Sequence, residues 1–130
     1  CSICNNPQRD KKTICIVAHN QDVEAVEKTG DFEGVYHLLN GLLSPLEGIT
    51  PDKLKITELT SRIKNNGVKE INLALDQSME GEATTIYISK LLAEYSVTVS
   101  RLARGIPMGA NIEYTHEVTL SSAIKNRKKL

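Results

Sequence analysis

Apolar residues along this chain fall into two kinds of run. Short apolar or β-branched runs occur at residues 13–18 (TICIVA), 35–39 (VYHLL), 70–75 and 97–102. Runs of this length, bounded by turn residues, predict strands buried within a parallel sheet. Between them the apolar positions recur at helical spacing. Val23 and Val26 predict a helix that starts near Asp22 and stops at Gly30. Ile56, Leu59 and Ile63 predict a second, ending at Asn65-Asn66-Gly67, where glycine suits the left-handed terminal residue. Ala83, Ile86, Tyr87, Leu91 and Leu92 predict a third over residues 81–95.

The resulting order, β-α-β-α-β-α-β, predicts an α/β fold: a parallel sheet flanked by helices on both faces, with right-handed crossovers. Cys15, inside the first strand, is expected in the core. The turn-rich stretch from Asn40-Gly41 through Ser44-Pro45 to Pro51 is long for a connection, and such segments tend to serve function or an interface. After the last strand, Gly105, Pro107 and Gly109 punctuate a loop, and Leu120, Ala123 and Ile124 allow a short terminal helix.

Composition narrows the classes. The 130 residues, 40% hydrophobic and 25% charged, suit one ordinary globular domain. No apolar run nears the roughly 18 residues of a membrane span, and a cytoplasmic protein is expected. Lys plus Arg and Asp plus Glu number 16 each, which argues against a fold that grips nucleic acid by bulk charge. The one dense basic run, Lys125, Arg127, Lys128 and Lys129, reads as a solvated tail. Three cysteines, two of them at C-x-x-C spacing (Cys1 and Cys4), do not suggest a disulfide framework. A start at Cys1, inside a motif, is what a piece of a longer chain would show.

Ligands of open parallel sheets bind beyond the carboxyl ends of the strands. The first strand is followed by residues 18–22 (AHNQD) and the third by residues 76–84 (DQSMEGEAT). Asp22, Asp76, Glu80 and Glu82 could therefore meet at one rim. Such carboxylates can hold a hard cation such as Mg²⁺. Alternatively, Glu80 and Glu82 complement the positive end of the following helix, worth about 0.3–1 kcal/mol each. No glycine-rich phosphate loop is present. His19, His37 and His116 lack a nearby nucleophile, so no catalytic triad is expected.

Several ordered strings carry a more specific signal. Residues 80–84 (EGEAT) and 101–109 (RLARGIPMG) resemble signatures of the RecR recombination mediators. The likeness extends to Glu27-Lys28-Thr29-Gly30, Tyr36-His37, residues 41–49 (GLLSPLEGI), Glu113-Tyr114 and Val118-Thr119-Leu120, and so covers the chain.

The resemblance implies a Toprim (topoisomerase-primase) fold with a C-terminal extension. Residues 1–12 would be the second half of a truncated zinc-finger motif, 13–102 the Toprim domain, and 103–130 a C-terminal loop and helix region involved in oligomerisation. Cys1 and Cys4, followed by Arg9-Asp10, resemble the last two ligands of the family's four-cysteine zinc site. Catalytic Toprim proteins place a glutamate after the first strand and an Asp-x-Asp pair after the third to position Mg²⁺. Here the matching residues are Ala18 and Asp76-Gln77-Ser78, although Asp22 matches an acid common in RecR. Mg²⁺ and catalysis are accordingly not expected. The resemblance implies a bacterial, nucleoid-associated DNA-repair scaffold that forms dimeric or tetrameric rings on DNA. It would act with RecO and RecF, with Asp22, Asp76, Glu80 and Glu82 as a docking rim. The competing reading is a Toprim nuclease or primase-like phosphotransferase using the surviving acids with Mg²⁺.

A structural zinc site needs four ligands. With two, this chain should take up zinc weakly, and a chain restoring an upstream C-x-x-C should bind it stoichiometrically. Metal analysis after exhaustive dialysis decides the point, and tight one-to-one zinc in the 130-residue chain would refute it.

Overall fold

A computed structural model describes residues 3–130, except for the side chain of Pro45. Four strands, β1 (Asp10–Val17), β2 (Gly34–Leu38), β3 (Glu70–Leu73) and β4 (Thr98–Arg101), form one sheet in the order β2-β1-β3-β4. Every pairing is parallel. Helices α1 (Asn20–Glu27), α2 (Ile56–Asn66) and α3 (Met79–Leu92) connect successive strands, and α4 (Glu117–Lys125) follows the sheet.

Alternation along β1 divides the core. Ile14 and Ile16 join Leu59 and Ile63 of α2 and Ile88 and Leu92 of α3 in the larger cluster. Cys15 and Val17 point to the opposite face, where Val23 and Val26 of α1 close a smaller cluster with Tyr36. Ile14 through Ala18 are all buried, which explains the unbroken apolar run at this central strand. Cys15 is 2% exposed, and burial pushes its thiol up to about 11, so it stays protonated. On the α1 side of β3 and β4 the sheet is polar, with the Ser100 hydroxyl donating to the Asn72 amide oxygen.

The expected elements are present, with shifted ends. β1 starts at Asp10, before the apolar run, because the Asp10 N–H donates to the Glu33 carbonyl at 2.9 Å. A register shift between Asp10 and Ile14 absorbs the extra residues. α2 ends as its sequence suggests, with Gly67 at φ 62°. The 40–55 connection contains two short 3₁₀ turns, Pro45–Glu47 and Pro51–Lys53, and an antiparallel bridge between Ser44 and Ile49.

Two polar knots tie the outer layers to the sheet. Arg9 pairs with Glu27 and donates to the carbonyls of Phe32 and Gly34 at 3.1 and 3.2 Å. The Tyr36 hydroxyl donates to the other oxygen of Glu27. The bond from Arg9, then that from Tyr36, holds the Glu27 carboxyl below its ordinary range. On the other face His37 is 5% exposed, and its Nε2 lies 2.7 Å from the Lys55 carbonyl. Arg62 donates to the Tyr36 carbonyl at 2.8 Å and approaches His37 Nδ1 at 3.2 Å. A carbonyl at one ring nitrogen and a donor at the other assign the proton to Nε2 of a neutral imidazole.

Desolvation by burial lowers the pKa of His37 from its ordinary value. Between the folded value and the unfolded value near 6.5, only the unfolded chain takes up the proton, so stability falls as pH drops through that window. Urea unfolding should show a loss of up to about 1.4 kcal/mol per pH unit just below pH 6.5. That slope should flatten in His37→Gln, and an unchanged slope would refute the assignment.

Candidate functional site

The strand order reverses between β1 and β3: the chain leaves β1 toward β2 on one side and β3 toward β4 on the other. A crevice at the carboxyl ends of such strands is where α/β sheets take ligands. The segments after these two strands hold all four acids of the expected rim.

Asp22 lies in the first turn of α1, and its carboxylate accepts the N–H of the N-cap residue His19 at 3.1 Å. Asp76 and Glu80 are exposed. Glu82, in the first turn of α3, is engaged from two sides. Arg101 at the end of β4 donates to Oε1 at 3.2 Å and to Oε2 at 2.6 Å, and Arg104 donates to Oε2 at 2.5 Å. The bond from Arg101 is the main cause of a Glu82 pKa below the ordinary range.

The turn from β3 into α3 is unusually close. Ser78 caps the helix, its hydroxyl accepting the Gly81 N–H at 3.1 Å, a contact worth about 1 kcal/mol. That cap starts the helix at Met79, two residues before the apolar pattern. A Cβ on Gly81 would lie 1.8 Å from the Asp76 carbonyl oxygen, so only glycine fits. One turn on, the fully buried Thr84 donates to the Glu80 carbonyl at 2.7 Å and accepts the Leu43 N–H at 2.8 Å. This anchors the 40–55 connection to α3.

The sequence reading did not assign Arg101, Arg104 or Thr84 to the site. Alternation along β4 held a signal for Arg101. It shares a face with Val99, which packs in the α2–α3 cluster, and pairs in register with Leu73 of the same cluster. Among the histidines, His116 caps α4, with Nδ1 accepting the Val118 N–H at 3.3 Å. Of the two candidate zinc ligands, Cys1 lies outside the described residues. Cys4 is half-buried and packs against the larger core cluster, beside a cleft it shares with Lys11, Arg62 and Asn66. Among the described residues no three His, Cys, Asp or Glu side chains gather to hold a metal.

Residues 12–103 match the Toprim domain family, and the chain belongs to it. Within that family its kinship is with RecR: residues 105–128 match the RecR C-terminal family. The chain is 49% identical over all 130 residues to the recombination protein RecR of Rippkaea orientalis, and 46% to that of Gloeothece citriformis. It is 45% identical to that of Leifsonia xyli. It spans 66%, 65% and 66% of the lengths of these relatives. No described helix is long and apolar enough to cross a membrane.

Replacing Gly81 by Ala should cost about 2–3 kcal/mol, because backbone must move to admit the methyl. Thr84→Val, which leaves the Leu43 N–H without its acceptor, should cost about 1–3 kcal/mol. Urea denaturation measures both, and a neutral Gly81→Ala would contradict the described turn.

Proposed function

We propose that this chain is the Toprim and C-terminal part of a non-catalytic mediator of recombinational DNA repair, which works with RecO and RecF to load recombinase onto single-stranded DNA. The observation that carries this reading is the strand-end site itself. It retains the Toprim crevice but has Ala18 and Ser78 where catalytic members need carboxylates, and Ser78 is committed to capping α3. Kinship with proteins named for recombination supports the process, and the altered site supports a scaffold within it.

On this reading the rim of Asp22, Asp76, Glu80 and Glu82 docks partner proteins. Its exposed members, Asp76 and Glu80, supply the long-range attraction that raises association rate and selects partners. The C-terminal region would join protomers. Met108, Ile112, Tyr114, Val118 and Ile124 are exposed there, and α4 buries no residue, as suits a surface completed by another copy. DNA would be held by the assembled ring of the longer protein, whose upstream part would complete a zinc site with Cys1 and Cys4.

Titrating RecO or RecF onto the chain tests the docking surface. Asp76→Lys with Glu80→Lys should weaken binding about tenfold or more, chiefly through slower association that depends on salt. Incubation with DNA and Mg²⁺ or Mn²⁺ should yield neither cleavage nor synthesis. Metal-dependent turnover abolished by Asp76→Ala would replace the scaffold reading with the enzyme.

A further inference from the structure

The catalytic Toprim pattern would call for Mg²⁺ at the β1–β3 crevice, and three features of this chain do not fit that ion. Ala18, at the position of the first-strand carboxylate, is 2% exposed, and its carbonyl oxygen accepts the Asn40 N–H at 2.9 Å. Ser78 has its hydroxyl turned back on the Gly81 N–H. Glu82 has both carboxylate oxygens occupied by guanidinium donors, from Arg101 and Arg104. Mg²⁺ demands near-octahedral oxygen ligands and sheds water reluctantly. To use Glu82 it would have to displace three charge-assisted contacts from two guanidinium groups.

We infer that Arg101 and Arg104 occupy Glu82 so that it is withheld from a divalent cation, and that they clamp the start of the C-terminal extension to the first turn of α3. Their positions add a mechanical consequence. Arg101 ends β4, whereas Arg104 lies three residues beyond the strand, in the segment that leads to α4. The Arg104 side chain is 25% exposed and that of Glu82 38%, so the contact is partly shielded from solvent on the Arg104 side. Between Arg101 and α4 the backbone has one further tie to the sheet, a 3.3 Å bond from the Leu102 N–H to the Leu73 carbonyl. Glu82 therefore sets the direction in which the extension leaves the sheet. The inference concerns this chain alone and holds whether or not its partners are RecO and RecF.

Hydrogen exchange and thermal melting of the whole chain, with EDTA or with about 10 mM MgCl₂, test both halves. At that concentration a metal site of millimolar affinity would raise the melting temperature by several degrees, whereas the parent chain should shift by less than about 1 °C. Glu82→Gln should speed amide exchange at residues 102–106 about tenfold and leave residues 14–17 of β1 protected as in the parent. Arg104→Gln, which keeps the Arg101 pair, should speed the same segment and no other, and it decides the matter if Glu82→Gln loosens the whole fold. A saturable Mg²⁺ stabilisation of the parent that Glu82→Gln removes would overturn the metal half. Exchange at 102–106 unchanged in Arg104→Gln would overturn the clamp.

Discussion

Where β3 gives way to α3, the helix lies so close to the strand end that Gly81 rests against the Asp76 carbonyl with no room for a side chain. Much of the site depends on that contact. It admits the start of α3 that the Ser78 cap marks, and that start fixes the phase of the helix. That phase turns Thr84 inward to hold the Leu43 amide and sets Glu82 facing β4. A helix begun one residue later would be rotated by about 100°, and both partners would be lost. The Ser78 cap, worth about 1 kcal/mol, starts the helix, and the missing side chain at Gly81 lets that start lie against the strand end.

The same economy recurs at the two polar knots. Glu27 ends α1 and receives both Arg9 from the N-terminal segment and Tyr36 from β2, so one carboxylate joins three elements. His37 and Arg62 join β2 to α2 and to the close of the 40–55 connection at Lys55. In each case a charged or titratable group spends its hydrogen bonds inside the protein, and it does so at a motif shared with RecR. These motif residues are thus first of all joints. The groups left facing solvent at the crevice, Asp76 and Glu80, are the ones available to a partner.

This division changes the meaning of the acidic rim. Four carboxylates near two adjacent strand ends suggest a metal or a uniformly negative patch when only their sequence positions are known. In the fold, Asp22 reaches back to the N-cap amide of α1 and Glu82 is neutralised by two arginines. The negative field at the crevice is therefore weaker and more local than the sequence implies, centred on the segment between β3 and α3.

The sequence by itself determined the order of elements, the burial of the central strand, the stop of α2 at Gly67 and the kinship with RecR. Those features are local: a run of β-branched residues, a helical spacing or a short motif is written in neighbouring positions. The residues that the resemblance sets at the catalytic positions, Ala18 and Ser78, carry no carboxylate, and that too is read directly from the sequence. The tertiary structure alone decided the partners. Glu82 meets arginines 19 and 22 residues away, Thr84 meets Leu43 at 41, and Arg9 meets Glu27 at 18. Such pairs follow from the strand order β2-β1-β3-β4, the parallel register and the phase of α3, and no local period encodes them. The apolar pattern also missed the first residues of β1 and α3, because a backbone bond from Asp10 and a serine cap, rather than side-chain burial, set those ends.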